Sequence, residues 1–505
     1  MANNVFDLLS AGDPNAPAII EPAGTTLTYA QLRQQVSHLA GQLNALGIGR
    51  NDRVALVLPN GPEAAIAFLA VAACSTAAPL NPAYREDEFR FYMDDLRAKA
   101  LITLPGDAAP AHAAAGNDVL RLALAGAPGS YELLAGGVAP KPVDPTYAQP
   151  DDVALVLHTS GTTARPKIVP LLQRNLVVSA GNIMDALALT PDDRCLNVMP
   201  LFHIHGLMAA LLASLGAGAS VVTSPGFDAF RFFGWLEETT PTWYTAVPTM
   251  HQLVLSRASR QKETVARAKL RFIRSSSASL PPTVMADLEK TFGAPVIEAY
   301  GMTEASHQMA TNPLPPRERK PGAVGIGAGV QVAIMDDAGN LLDATRTGEV
   351  VIKGGNVTSG YENNPTANES SFTHGWFRTG DQGYQDEDGY LYLTGRLKEI
   401  INRGGEKVSP REVDEVLLQH PAVAQAVAFG MPHERLGEEV AAAVVLAEGA
   451  TAGEKELREF AAKQLADFKV PKTIIILADI PKGATGKVQR IGLAEKLGLT
   501  GAKAK

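Results

Sequence analysis

The run Leu155–Lys167, LVLHTSGTTARPK, constrains this chain more than any other stretch. Its first residues are apolar and read as a buried strand. They lead straight into a hydroxyl-rich loop that ends at Lys167. Backbone N–H groups around Gly161, the hydroxyls of Thr159, Ser160, Thr162 and Thr163, and one ammonium can surround an anion without presenting a negative charge to it. No Gly-Lys-Ser/Thr follows at the required spacing, so the loop is not a Walker A. Taken alone it fits a plain polar turn as well, and the rest of the chain decides between the two.

Leu32, Val36, Leu39, Leu43 and Leu46 recur at helical steps after Leu27-Thr28-Tyr29, and Gly47 and Gly49 supply the stop. Val54–Leu58, Ala77–Leu80 and Ala100–Thr103 read as short strands between helices, which predicts α/β layers with largely parallel strands. Residues 106–148 are rich in Ala, Gly and Pro and read as weakly patterned connections with at most one short strand. Alternation resumes after the Thr159 loop and continues to about Phe292. From Gly325 the texture changes. Val330–Met335, Glu349–Ile352 and Tyr390–Leu393 predict a small antiparallel sheet or barrel. A helix over 410–420, strands over 424–429 and 441–446, a helix over 454–465 and a strand over 473–477 predict a small α+β domain at the end.

At 505 residues the chain exceeds one ordinary core, so two or more domains are expected. A net charge of −8 argues against a nucleic-acid binder. Cys74 and Cys195 sit in apolar surroundings and predict reduced, buried thiols rather than a disulfide scaffold. The first fifteen residues lack a basic n-region, 64–84 and 207–222 are broken by Pro or Gly, and the chain ends without a Ser-Lys-Leu address. No secretory leader or membrane span is therefore expected, and the cytoplasm is the default location. No feature of the sequence fixes an oligomeric state.

Four further stretches accompany the loop: PLFHIHG at 200–206, YGMTE at 300–304, GWFRTGD at 375–381, and TGRLKE at 394–399 continuing through GGEKV at 404–408 to PKGATGK at 481–487. In this order the chain resembles the adenylate-forming superfamily of acyl-CoA synthetases, adenylation domains and firefly-type luciferases over essentially its whole length. Ala164 and Ile168 depart from the small residues usual there, without removing a charge or donor. The resemblance implies an α/β fold with a large N-terminal domain (1–395) of two layered α/β sheets plus a small β-barrel, a hinge (396–398), and a smaller, mobile α+β C-terminal domain (399–505).

It also implies a two-step reaction using ATP, Mg²⁺ and coenzyme A, in which a carboxylic acid is adenylated and then transferred to the CoA thiol. Two anions meet in the first step, so charge and oriented donors are needed rather than a protein nucleophile. The resemblance gives Thr159–Thr163 and Lys167 the β,γ-phosphates, Thr303 the α-phosphate and Glu304 the metal. Asp381 and Arg396 go to the ribose, and Glu298, Ala299 and Tyr300 to the adenine. Ser277, Ala278, Gly301 and Met302 fall among the nucleotide contacts. Lys487 resembles the catalytic lysine, Lys398 the hinge, and Gly404 and Gly405 the loop lining the pantetheine path. Bland readings stand beside these: a helix-terminal carboxylate for Glu304, a turn-capping Asp for Asp381, a solvated Lys487, and a turn at Gly404-Gly405.

The acid itself is read from polar residues. His203 and His205 would share a face if their segment were a strand. His307 would lie on the same side as Glu304 if the intervening turn were helical. Three imidazoles and Ser277 are costly to leave unpaired, which predicts a polar or charged acyl group. The run SHQM at 306–309, followed by NPLP at 312–315, resembles the oxalate–CoA ligase branch, with His203, Ser277 and His307 binding the second carboxylate. Malonate is the nearest rival, although no arginine for it is evident in the sequence, and short- or medium-chain acids come third. A nucleotide-binding protein without turnover, or an enzyme loading a carrier protein, are readings of other kinds.

Overall fold

In the computed structural model, which describes residues 2–159, 166–481 and 490–499, the spacing of Leu32, Val36, Leu39 and Leu43 becomes the buried face of the helix Tyr29–Ala45. Its start is a capping box: Gln31 N–H donates to Thr28 Oγ1 at 3.3 Å and Thr28 N–H donates to Gln31 Oε1 at 2.9 Å. The described residues form two compact units. One comprises 2–159, 166–332 and 352–377; the other comprises 333–351, 378–481 and 490–499.

The first unit contains two large sheets. One has seven strands in the order Glu132–Ala135, Leu120–Ala125, Ala100–Thr103, Arg53–Leu56, Thr76–Pro79, Val153–Thr159, Lys167–Leu172. The other has nine: Ile326–Gly327, His307–Thr311, Val296–Met302, Phe272–Ser275, Trp243–Ala246, Arg194–Asn197, Ser220–Thr223, Pro17–Ile20, Thr26–Thr28. From Val296–Met302 to Pro17–Ile20 this second sheet is parallel throughout. Every residue of Ser220–Thr223, Trp243–Ala246 and Phe272–Ser275 is buried, as expected for parallel strands covered on both faces.

Residues 106–148 hold more structure than their composition predicts: a helix at Ala109–Ala114 and strands at Leu120–Ala125 and Glu132–Ala135. The small residues dilute a period-two signal carried by Leu122 and Leu124, both buried. Ala64–Tyr84 and Leu207–Val222 are helix running into strand, and among the described residues no helix is long and apolar enough to cross a membrane.

Beyond Gly325, Gln331–Met335, Gly348–Lys353, Trp376–Gln385 and Leu391–Arg396 run side by side in the small sheet read from the sequence, and Phe372–Thr373 is its fifth strand. The last sheet orders Glu406–Val408, Ile401–Arg403, Gly437–Leu446 and Val423–His433, with Thr473–Ile476 parallel to Gly437–Leu446. Its central strand is apolar on both faces. Val440, Ala442 and Val444 pack with Val413, Leu417 and Leu457 of the helices Pro410–Leu417 and Glu454–Ala462. Ala441 and Ala443 pack with Phe429, Ile480 and Leu493.

Asp193 ties together the amino ends of three strands of the nine-stranded sheet. It precedes Arg194–Asn197, accepts from Thr242 Oγ1 (2.8 Å) just before Trp243–Ala246, and accepts from Arg271 Nε (3.0 Å) and Nη2 (2.8 Å) just before Phe272–Ser275. Its carboxylate is nearly fully buried. Asp193→Ala is expected to cost about 2–3 kcal/mol by leaving these donors unpaired. The readout is a lower urea midpoint at unchanged slope.

Candidate active site

The carboxyl ends of the same parallel strands carry the polar residues singled out in the sequence, the usual location of ligands in open α/β sheets. His203 and His205 follow Arg194–Asn197, Thr245 is the penultimate residue of Trp243–Ala246, Ser277 follows Phe272–Ser275, and Glu304 follows Val296–Met302.

His203 and His205 do not lie on a strand. His205 opens a buried π-helix, His205–Leu212, so the pleat argument for a shared face fails. The segment Leu207–Leu212 is apolar on all sides, and the wide helix buries every one of its residues. Gly206 is required there, because a Cβ would meet Pro200 O at 2.4 Å. The His205 N–H donates to His203 Nδ1 at 3.3 Å, so a neutral His203 carries its proton on Nε2. His307 is not on a helix either. A short 3₁₀ turn, Thr303–Ala305, ends at Ser306, and His307 begins the strand His307–Thr311. Gly301 permits that hairpin, since a Cβ at this residue would lie 1.9 Å from His307 O.

Despite the wrong local geometry, the two histidines meet. The rings of His205 and His307 stack with centroids 4.9 Å apart and planes at 21°. Both rest on Arg274, which no sequence argument had singled out. Its Nη1 lies 3.2 Å from His205 Nε2, and its Nη2 lies 3.2 Å from His307 Nε2 and 3.0 Å from Gln308 Oε1. Thr245 Oγ1 accepts from Arg274 (3.4 Å) and bonds His205 Nε2 (2.6 Å). A guanidinium has only donors, so both Nε2 atoms are acceptors and both neutral rings carry the proton on Nδ1. His205 Nδ1 then donates to Ser277 Oγ at 3.0 Å. Arg274, His205 and His307 are buried, whereas His203 and Ser277 are half-buried and Ala278 is exposed. A charged residue inside a buried strand, RFIRS at 271–275, was the available signal for Arg274.

Lys167 and Thr159 face each other as a register pair of the antiparallel strands Val153–Thr159 and Lys167–Leu172. The intervening Ser160, Gly161, Thr162 and Thr163 lie outside the described residues, as does Lys487. Lys167 Nζ sits 4.2 Å from the centre of the Tyr361 ring, and Tyr361 Oη donates to Glu304 Oε1 at 2.8 Å. One tyrosine thus connects the lysine of the hydroxyl loop to the carboxylate read as the metal ligand. Burial, with Glu304 alongside, pushes the Tyr361 phenol well above its ordinary range, so it stays a donor. Glu304 is buried, which removes the reading of an exposed helix-terminal carboxylate. Thr303 and Met302 beside it are partly exposed.

Glu298 and Tyr300 are buried, and Glu298 Oε1 accepts the Leu280 N–H at 3.0 Å. Ala299 O accepts from Ser276 Oγ at 2.9 Å. In the second unit, Asp381 and Arg396 are cross-strand partners with an Oδ1–Nε distance of 3.4 Å. Lys398 is exposed in the turn that follows. Gly404 (φ +60°) and Gly405 (φ +96°) form the two-residue turn between Ile401–Arg403 and Glu406–Val408. Arg490, the first described residue after 489, bonds Asp414 (2.6 Å) and Glu399 (3.3 Å).

Ser277, Ser306 and His307 hold positive φ values of 70°, 48° and 97°, which L-residues adopt at a cost. At ordinary helical φ Ala is more stable than Gly. At Ser277 the order is expected to reverse, with Ser277→Gly about 1 kcal/mol more stable than Ser277→Ala by thermal or urea denaturation.

The AMP-binding enzyme family matches residues 6–362, and the AMP-binding enzyme C-terminal domain matches residues 412–487. The chain is 49% identical to an oxalate–CoA ligase of Arabidopsis thaliana, over 94% of this chain and 95% of the relative. It is 42% identical to an oxalate–CoA ligase of Saccharomyces cerevisiae, over 97% and 96%. Among solved structures, ATP-bound MatB from Rhodopseudomonas palustris superposes with a TM-score of 0.88 at 32% identity, covering 98% of this chain and 99% of that one. The chain belongs to the AMP-binding enzyme family, the adenylate-forming enzymes.

Proposed function

We propose that this chain is an ATP-dependent, AMP-forming oxalate–CoA ligase. The observation that carries the reading is the cluster of Ser277, His205 and His307 on Arg274, polar and cationic at the carboxyl ends of the parallel strands. Full-length relatives that are oxalate–CoA ligases support it.

In this reading one oxalate carboxylate attacks the α-phosphorus of ATP. The bond from that phosphorus to the bridging oxygen breaks, pyrophosphate leaves, and oxalyl-adenylate remains. The CoA thiolate then attacks the acyl carbon and AMP departs. No protein base is needed in the first step, because the nucleophile is already an anion. The protein's work is to neutralise and orient charge. The loop Thr159–Thr163 and Lys167 hold the β,γ-phosphates, Thr303 donates to the α-phosphate, and Lys487 neutralises the meeting anions. Asp381 binds the ribose hydroxyls with Arg396 beside it. Tyr300 stacks on adenine next to Glu298 and Ala299, and Ala278, Gly301 and Met302 line the nucleotide. His203, Ser277 and His307 receive the second carboxylate as neutral donors, and His205 belongs to the same acid site by holding the Ser277 hydroxyl.

Glu304, oriented by Tyr361, suits Mg²⁺, which takes one or two carboxylates together with phosphates and waters. When bound, Mg²⁺ supplies charge neutralisation on the phosphates. Between steps residues 399–505 rotate about Lys398, and Gly404-Gly405 leaves room for pantetheine. A cytoplasmic location suits the two free, buried thiols of Cys74 and Cys195.

The test is pyrophosphate release with ATP and Mg²⁺, with and without CoA, across oxalate, malonate, acetate and octanoate. CoA-dependent turnover strongest on oxalate is expected; preference for octanoate would sink the reading and make the histidines structural. Lys487→Ala should lower pyrophosphate release by about 100-fold or more while leaving thioester formation from supplied oxalyl-adenylate far less affected. Equal losses in both steps would remove Lys487 from its assigned role.

A further inference from the structure

Arg274 is fully buried on the strand Phe272–Ser275, and every group it bonds is neutral: His205, His307, Gln308 and Thr245. Among the described residues it has no carboxylate partner. Burial pulls its guanidinium down to about 9, still charged at neutral pH. The nearby Cys195 thiol is pushed up by burial and offers no counter-charge. Arg274 Nε, Ser275 Oγ and Gln308 Nε2 are buried without partners, so the charge is poorly compensated even by dipoles. An isolated buried cation of this kind is costly unless an anion repays it.

The chain of contacts leads outward from this charge. Arg274 bonds His205, and His205 bonds the half-buried Ser277. The stacked pair of imidazoles could not both be protonated above a guanidinium, because three like charges would face one another in a desolvated site. Neutral imidazoles orient an acid but do not discriminate one charge from two. The buried guanidinium does, since low local dielectric lets its field reach past one layer of rings.

We propose that Arg274 is the specificity-determining positioning residue of the acid site. It locks His205 and His307 as Nδ1–H donors and supplies the charge that selects a small acid with a second negative group over a monoanionic acid of the same size. This rests on the reading of the cluster as the acid site. The substrate class is a short doubly anionic acid, with oxalate its smallest dicarboxylate. Arg274 acts through the histidines and Ser277 and forms no bond to the acid itself.

The experiment uses the full-length enzyme, Arg274→Met and Arg274→Lys. Pyrophosphate release gives kcat and KM for oxalate and for glyoxylate, a monoanion of the same carbon number. Nitrogen NMR of histidine-labelled protein reads which ring nitrogens carry protons. In wild type, the resonances assigned to His205 and His307 should show an unprotonated Nε2. In Arg274→Met, that pattern should be lost, and the oxalate-to-glyoxylate ratio of kcat/KM should fall by about tenfold or more, chiefly through KM for oxalate. Arg274→Lys keeps the charge without the fork that bridges both rings, so part of the preference for oxalate should survive while one ring escapes its tautomer. An unchanged ratio in a folded Arg274→Met enzyme, or a protonated Nε2 on His205 or His307 in wild type, overturns the proposal. If Arg274→Met does not fold, the wild-type tautomers and the ratio in Arg274→Lys decide in the same way. If wild type prefers sulfoacetate or malonate to oxalate, the oxalate reading fails by itself. The role of Arg274 is then judged on the preferred dianion against its monoanionic counterpart.

Discussion

A guanidinium buried among neutral partners is an expensive thing to build into a sheet, several kcal/mol even after relaxation. Arg274 persists because the fold surrounds it with acceptors: two imidazole nitrogens, an amide oxygen and a hydroxyl. Those acceptors come from three separate places in the chain, and each needs its own local device. The π-helix and Gly206 bring His205 in against Pro200. Gly301 lets the strand bearing His307 and Gln308 fold back on Val296–Met302. The parallel register sets Thr245 beside Arg274. Positive φ at Ser277, Ser306 and His307 is the strain that this convergence requires.

The surroundings of Glu304 and Lys167 have a different logic. Glu304, in the turn Thr303–Ala305, and Lys167, at the start of the strand Lys167–Leu172, are joined by one residue, Tyr361, through a hydrogen bond and a cation–π contact. The ring of Tyr361 meets the ammonium and its hydroxyl meets the carboxylate, so one side chain orients both charges. Asp193 performs the complementary task at the far ends of the strands. By accepting from Arg271 and from Thr242, whose Oγ1 in turn accepts the Arg194 N–H, it fixes the relative rise of three parallel strands and thereby the height at which their carboxyl ends present His205, Thr245 and Ser277.

Much of this was legible in the sequence. The helix Tyr29–Ala45, the alternation of strand and helix, the small sheet after Gly325 and the closing α+β unit follow from periodicity and turn residues. The polar character of the cluster of His205, Ser277 and His307 was legible too, since imidazoles and hydroxyls in otherwise apolar stretches are informative wherever they lie. Placement was not. His203 and His205 looked like strand neighbours and open a helix; His307 looked helical and starts a strand. In both cases tertiary packing overrode a two- or three-residue spacing argument, which carries little weight in so short a segment. Arg274 and Tyr361 escaped because a single arginine in a short apolar run and a single tyrosine in a polar one look ordinary until their partners are known. In the Ala-rich 106–148 stretch, small side chains hid a strand pair whose stability comes from its neighbours.

The most direct test of the account is a crystal structure of the enzyme with oxalate and an unreactive ATP analogue. The account predicts one oxalate carboxylate within hydrogen-bond distance of Ser277 Oγ and an imidazole of His203 or His307, with the other directed at the α-phosphate. Oxalate bound with both carboxylates away from the Arg274 cluster would contradict it.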